Sequence, residues 1–480
     1  MPAPAFIERC QHSLSGGPSR LMTRGLLGVQ IFAVLALGGC AGARYQRPDL
    51  PIPPNYRGDT PEPVPGNKTT ESFGELQWQD LSHDETLSKL IQEAIADSFD
   101  AQTAASRVLQ ADAQLTIARS ALFPLVNAQT GYSDSRLLQL NTSETTLSVS
   151  AGWEFDLWGQ IRNASAAARA NLLATEQARR VVLQTLLSNV ATGYFLLQDL
   201  DLELEITRQA LQFRQDSLDL VRVRVENGYS SELDLRQAEV LVETARTALT
   251  SIELQIEQTE NQLDILLGRN PGPVVRSRPL LEQELASQLP SGLPSALLDR
   301  RPDIRQAEDQ LIASHALVAV ARSAYFPNIA LTSSSGFESS ALHNLFSGLS
   351  GIWQLGPAVN LPIFNAGSIR AGVQSAQAQQ DQALLLYRKT VQEAFREVAD
   401  SLVAEQKLAQ SRTQQQSLVD TLQQAVELAD LRYQGGFDSY LDYLDSERQL
   451  LDAQVLLVQL RRQELTNVVS LYQALGGGWR

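Results

Sequence analysis

The side chains with the clearest chemistry to offer lie in the run Leu441-Asp442-Tyr443-Leu444-Asp445-Ser446-Glu447-Arg448. Asp442 and Asp445 are three residues apart, with Arg448 three further, so all three share one face if the run is helical. Such a face attracts cations and forms ion pairs. Asp234 stands 208 positions before Asp442, and Gln237 takes the place of Asp445 there. The acids have a plainer use too, because a carboxylate near a helix N-terminus complements the dipole. Other chemistry finds no residues. His12, His83, His315 and His343 show no metal-ligand spacing. There is no Walker loop, no G-x-G-x-x-G and no G-x-S-x-G. The chain is expected to be no enzyme and to hold no cofactor or metal.

Composition agrees with that direction. Asp and Glu number 54 against 39 Lys and Arg, a formal net charge of −15. Nucleic-acid partners favour basic faces and are argued against, whereas a surface or pore that prefers cations fits. The 480 residues suffice for two or three average domains. Both cysteines, Cys10 and Cys40, lie near the N-terminus, so the body has no disulfide framework and no Cys-type zinc site.

The N-terminus reads as an address. Arg20 and Arg24 precede an apolar run from Leu26 to Leu37, a charged and then hydrophobic arrangement typical of a secretory signal over residues 1–39. The run is shorter than the roughly 20 residues of a membrane-spanning helix. Residues 1–21 look unlike a signal peptide, and Met22 makes the better start. Leu37-Gly38-Gly39-Cys40 resembles a bacterial lipobox, which implies cleavage before Cys40 and diacylglycerol on its thiol. Ala41, rather than an aspartate, then implies outer-membrane delivery. Residues 40–75 form the lipidated N-terminal segment in this reading. Pro48, Pro51, Pro53, Pro54, Pro61, Pro63 and Pro65 make it extended and polyproline-like.

What must position the acidic face is a set of unusually long helices. From Arg162 to Asn227 no proline occurs, and Gly193 is the one glycine inside. As a single helix this stretch would run about 100 Å. Leu183, Val190, Leu197, Leu204, Leu211, Leu218 and Val225 repeat every seven residues, and Ile206, Phe213 and Leu220 form a second row two positions on. The two rows lie on nearly opposite flanks, as for a stave with a neighbour on each side. An ordinary long coiled coil remains an equal reading of this helix alone. In the second copy Glu405 and Arg412 stand where Leu197 and Leu204 stand in the first, which interrupts the seam.

The chain is written twice. Ile117–Pro124 matches Val320–Pro327, and Gly159-Gln160-Ile161-Arg162 matches Gly367-Ser368-Ile369-Arg370 at an offset of 208. Asn227–Asp234 matches Gly435–Asp442, and Leu267-Gly268 matches Leu475-Gly476, at the same offset. An offset held this long indicates a tandem repeat, residues 76–272 and 273–480. Helices are expected over Asp84–Asp97, Asp100–Ala121, Arg162–Asn227 and Glu232–Leu267, then Pro302–Ser323, Ser368–Gln434 and Tyr440–Leu475. Ser231 and Ser439 are expected N-caps. The turns Gly228-Tyr229-Ser230 and Gly436-Phe437-Asp438 close the two long hairpins, glycine supplying positive φ.

Between the helices run strand-like segments. Thr146–Leu157 alternates, with Leu147, Val149, Ala151, Trp153, Phe155 and Leu157 on one face. Trp353, Leu355, Val359, Leu361 and Ile363 do the same in the second copy, with partners Val126–Arg136 and Asn328–Glu338. The lengths suit a tilted transmembrane strand, a soluble sandwich strand gives a similar pattern, and Trp153, Phe155, Trp158 and Trp353 near strand ends favour the membrane slightly. Four strands cannot close a membrane barrel, whose smallest form has about eight, and open edges in lipid are prohibitively costly. Strands that enter a membrane must therefore share a barrel among several chains; three chains give twelve.

Leu297-Leu298-Asp299-Arg300-Arg301-Pro302-Asp303-Ile304-Arg305-Gln306-Ala307-Glu308 resembles the signature of outer-membrane efflux lipoproteins of the OprM/NodT group, relatives of TolC. Ala321–Thr332 continues it. Leu471–Trp479 is similar to that family's C-terminal motif, and Cys40 followed by Tyr45-Gln46-Arg47-Pro48 to its N-terminal one. The resemblance implies a mainly α fold with β: a TolC-like homotrimer whose 12-stranded outer-membrane β-barrel continues into a 12-helix periplasmic α-barrel. It implies passive export of drugs or other toxic compounds in a Gram-negative cell, coupled through a periplasmic adaptor to an inner-membrane pump of the RND type. Type I protein secretion, and a periplasmic coiled-coil scaffold without a pore, are the alternative functions. By the same resemblance Leu441, Asp445 and Arg448 fall at the pore constriction, with Asp442 and Asp234 as further carboxylates. Gly228, Tyr229, Ser230, Gly436, Phe437 and Asp438 fall at the tips that meet the adaptor.

Overall fold

The structure is a computed structural model and describes residues 45–58, 73–75, 78, 83–137, 140–283 and 294–478. Residues 1–39, Cys40 and the prolines Pro61, Pro63 and Pro65 lie outside the described residues. In the first copy helices α1 (Glu85–Asp97) and α2 (Phe99–Ser120) are followed by strands β1 (Leu125–Leu137) and β2 (Leu140–Glu154). Then come the long helix α3 (Gln160–Glu226) and the returning helix α4 (Glu232–Leu267). A short helix α5 (Pro294–Arg300) precedes the second copy: α6 (Pro302–Ser323), β3 (Asn328–Ser339), β4 (Gly351–Asn360), α7 (Ser368–Gln434) and α8 (Tyr440–Ala474). The chain divides into two compact units. One holds Arg119–Ala164 and Ala319–Val373; the other holds Arg47–Ala118, Ser165–Val318 and Gln374–Arg480.

The first unit is built on one antiparallel sheet in the order β1-β2-β3-β4. β2 pairs from Leu125↔Gly152 to Leu137↔Leu140 with β1, so it starts six residues before the alternating pattern does. Hairpin pairing, not hydrophobic alternation, carries the polar stretch Asn141–Glu144 into the strand. At its other end β2 stops at Glu154, short of the expected Leu157. There Leu157 N–H turns back to the Phe155 carbonyl (2.8 Å), and Gly159 has φ of 77°. β4 likewise stops at Asn360 rather than Ile363, just before Pro362. Pro357 lies in β4, which is an edge strand of the sheet within one chain. At the foot of the sheet, Trp153 donates its indole N–H to the Leu122 carbonyl (3.0 Å) and Trp158 to that of Pro327 (2.8 Å). Trp158 stacks on Phe326 at 4.6 Å. Leu147, Val149, Trp153, Ile352, Leu355 and Val359 are exposed, so the sheet presents apolar side chains to its surroundings.

In the second unit α3 and α7, each 67 residues, are about 100 Å long by their rise. Along α3 the seven-residue row is buried at Val190 and Leu197 and half-buried at Leu204, Leu211, Leu218 and Val225. Phe213 and Leu220 of the second row remain exposed within the chain. The α7 seam buries Val391, Val398, Val426 and Tyr433. At its polar interruption Arg412 swings into an ion pair with Glu464 (2.8 Å), so that stretch packs through charge where its counterpart packs through leucine. Asp84 is the N-cap of α1 and accepts from Thr86 N and Leu87 N. Tyr194, Ser277 and Gln283 complete its buried shell.

Candidate functional site

Both hairpins close by the same backbone device. At the end of α3 Gly228 takes φ of 76°; its N–H reaches the Val225 carbonyl (3.0 Å), and Tyr229 N–H reaches that of Arg224 (2.8 Å). Gly436 (φ 73°) and Phe437 repeat those bonds to Tyr433 (3.1 Å) and Arg432 (2.9 Å). This is a Schellman closure, which needs a left-handed residue that glycine adopts without a Cβ clash. The turns leave Tyr229 85% and Phe437 80% exposed. Ser230 is half-buried and donates to Asp234, while Asp438 is held by Arg432 at 2.5 and 2.8 Å.

The returning helices start on the expected serines. Ser231 Oγ accepts from Asp234 N (3.2 Å), and Asp234 Oδ2 accepts from Ser231 N (2.9 Å), a complete capping box. Asp234 is therefore occupied at its own helix N-terminus. Burial works against its charge, but the bonds from Ser231 and Ser230 outweigh that and hold it below the usual carboxylate range. Ser439 caps α8 more loosely: it accepts from Asp442 N at 3.4 Å and donates to Asp442 Oδ2 at 2.7 Å.

Leu441, Asp445, Arg448 and Asp452 then form one exposed stripe along α8. Arg448 donates to Asp445 (2.9 Å) and to Asp452 (3.3 Å), and Gln449 also bonds Asp445 (2.6 Å). The hydrogen bond from Arg448, then that from Gln449, lowers the Asp445 pKa from its ordinary value. Of the sequence-derived acids and base, the structure thus joins Asp445 with Arg448. Asp442 and Asp234 stand apart as cap residues. Asp452 belongs to the stripe and was legible from its four-residue spacing to Arg448.

Behind the stripe lies a buried cluster of Val221, Ala238, Val426, Tyr433, Tyr440, Tyr443, Leu444 and Leu450. Tyr433 stacks on Tyr443 with centroids 6.1 Å apart, and Arg224 lies 4.5 Å over the Tyr433 ring. Tyr440 shares a hydrogen bond with Ser217 (3.0 Å). Two residues on from the stripe's Asp445, on the opposite face of the helix, Glu447 is buried and meets Arg214 of α3 at 3.1 and 3.3 Å. Burial raises the Glu447 carboxyl, and Arg214 opposes the rise. Sequence reasoning missed this pair. Its members are 233 residues apart, and Arg214 sits on the α3 seam where the repeat offset places Leu422 in α7. The tyrosines had a signal, since Tyr433, Tyr440 and Tyr443 flank the turn at seven- and three-residue spacing.

The arrangement can attract cations and change pairing partners, but among the described residues no group of three or more His, Cys, Asp or Glu could hold a metal ion. Cys40 lies outside the described residues. A family profile described as "Outer membrane efflux protein" matches residues 90–269 and again 293–477. The chain is 37% identical over 471 residues to the probable efflux pump outer membrane protein TtgC of Pseudomonas putida, covering 95% of this chain and 96% of that one. It is 36% identical over 449 residues to the cation efflux system protein CusC of Escherichia coli K12, covering 92% and 97%. The crystal structure of the open state of the Neisseria gonorrhoeae MtrE outer membrane channel superposes with a TM-score of 0.81 at 30% identity, covering 91% and 98%.

Proposed function

This chain belongs to the outer membrane efflux protein family, and from that premise we propose that three copies form one passive duct for small molecules. It is an outer-membrane efflux channel with a TolC-like fold. The observation that carries the threefold reading is the sheet. β1 and β4 are its two edges, and its faces expose Leu147, Val149, Leu355 and Val359. An open edge in lipid leaves peptide groups unsatisfied at several kcal/mol each, so further copies must supply the next strands. The exposed Phe213 and Leu220 on α3 favour neighbours along the helices as well.

The mature chain divides into repeats 76–272 and 273–480, each meeting the profile once. Lipid on Cys40 holds the N-terminus at the membrane. Tyr229 and Phe437 are the contact points for a periplasmic adaptor that connects to an inner-membrane pump of the RND type. The names of the relatives point to antibiotics, solvents and cations as cargo classes.

Three copies of the Leu441, Asp445 and Arg448 stripe form the constriction, with leucine narrowing it and carboxylates favouring cations. In this mechanism Arg448 exchanges Asp445 and Asp452 of its own helix for groups on the neighbouring copy when the duct shuts. The buried Arg214–Glu447 pair keeps α8 seated on α3. A partner opens the duct only by favouring the splayed helices by more than these contacts. The test is reconstitution into planar bilayers, paired with cross-linking in detergent. Trimeric bands and cation-preferring conductance support the reading. A lone monomer that passes no ions overturns it.

A further inference from the structure

Two motifs remain that the constriction does not use: Tyr45-Gln46-Arg47-Pro48 and the Leu297–Glu308 signature. The structure puts them in contact. Arg47 grips Glu308 with both prongs of its guanidinium, at 2.9 and 2.5 Å, and reaches Asp299 at 3.1 Å. The Glu308 side chain is only 15% exposed. The fully buried Tyr387 of α7 lies beside the grip. Further along the segment Tyr56 is buried with its ring 6.2 Å from Phe395. The Gly58 carbonyl accepts from Gln406 Nε2 (2.9 Å), and a Cβ on Gly58 would stand 2.8 Å from Val403 Cγ2.

The segment therefore runs parallel to α7, from Tyr387 to Gln406, a helical distance of about 28 Å. About 11 residues cover it at about 2.6 Å each, close to the polyproline rise of 3.1 Å. Pro48, Pro51, Pro53 and Pro54 pre-extend this stretch, so docking it costs little chain entropy.

We infer that residues 47–58 are a strap fixed to the second repeat at two points, the Arg47 fork on Glu308 and Asp299, and Gly58 on α7. The acidic residues of the signature are the receptor for the chain's own N-terminal segment. Cys40 is seven residues from Arg47, so a lipid there is held within about 25 Å of the latch. That last consequence rests on the proposed lipidation; the latch does not.

The test is proteinase K cleavage between residues 48 and 58 of the full chain in mild detergent, mapped by mass spectrometry. Arg47→Glu and Glu308→Arg each speed those cuts at least about tenfold, while the cleavage pattern within α8 stays unchanged. Combining the two in an Asp299→Asn background, which removes the misplaced repulsion, restores protection to within about twofold. Arg47→Lys, which keeps the charge but loses the fork, gives an intermediate rate. Single variants cut at the wild-type rate, or a swap as labile as the singles, overturn the latch. Cys40→Ser separates the two readings. Wild-type protection, with a diacylglycerol mass increment on the N-terminal fragment of the wild type that the variant lacks, supports both, and wild-type protection with no such increment in the wild type overturns the lipid alone. Rapid cutting in that variant overturns the latch.

Discussion

Glu239 of the first hairpin is partly exposed and pairs with Arg236 on its own helix (2.8 Å). Its counterpart 208 positions on, Glu447, is buried and pairs with Arg214 of the other hairpin. The same contrast runs through neighbouring positions. Leu235, Gln237 and Val225 of the first copy correspond to Tyr443, Asp445 and Tyr433 of the second. What the copies share is backbone chemistry: a left-handed glycine, a Schellman closure and a serine cap. What they do not share is the side-chain set that meets another helix. The two copies share the hairpin, and the second carries the polar and aromatic contacts that hold it to the first. The second hairpin is therefore the one whose position depends on pairings that can be exchanged.

The largest expected effect breaks the comparison at Glu447. Glu447→Ala leaves Arg214 buried without its counter-charge, and we expect a loss of about 3–5 kcal/mol, read as a lowered unfolding midpoint in denaturant. Glu239→Ala should leave that midpoint unchanged. Equal effects of the two would show that burial of the pair does not matter. Arg214→Leu combined with Glu447→Leu should recover most of the loss, since Leu422 already occupies the position equivalent to Arg214 in α7.

Function should divide the copies the same way. Asp445→Ala with Arg448→Ala is expected to raise closed-state conductance several-fold in planar bilayers. Asp234→Ala, which removes the capping-box carboxylate of α4, should leave conductance near wild type; a raised conductance would add Asp234 to the constriction. An unchanged conductance in the double variant would count against the constriction. A smaller effect sharpens the shared part. Ser231→Ala should cost about 1 kcal/mol, and Ser439→Ala less, because its bond to Asp442 N is longer. Thermal melts of the two side by side would decide.

A further contrast between the copies concerns pH. Burial pushes the Asp199 carboxyl up to about 6, against the pull of Arg462 at 2.8 Å and helped by Glu203. The folded form thus holds a proton that the unfolded chain has lost above its ordinary value near 4. Stability should fall as pH rises from about 4 to about 6 and level off above. Asp199→Asn should flatten that slope. Lys407, its exposed counterpart in α7, should leave the slope intact when changed to Gln. A slope that persists in Asp199→Asn would reassign it to another group.

Much of this architecture was legible beforehand because its signals are local. Glu232–Leu267, Pro302–Ser323 and Ser368–Gln434 fall where glycine, proline and serine caps mark them. The strand ends were less legible. β2 gained residues through pairing with β1 and lost three at its foot to a turn, and neither event leaves a trace in alternation. At the candidate site, the stripe of Leu441, Asp445 and Arg448 could be read from helical spacing. The capping role of Asp234 could be read from its place after Ser231.

By itself, the sequence determined the duplication, the lengths of the helices, the turns at Gly228 and Gly436, and the alternation of the strands. Each depends on residues within a few positions of one another, through φ preferences, capping and periodicity. Only the tertiary structure decided that Arg214 meets Glu447, that Arg47 grips Glu308, and that Arg412 answers the gap in the α7 seam with Glu464. The first two pairs join residues more than 200 positions apart, and the third spans two helices. Which charge faces which is set by the packing of whole helices, and no local preference encodes it.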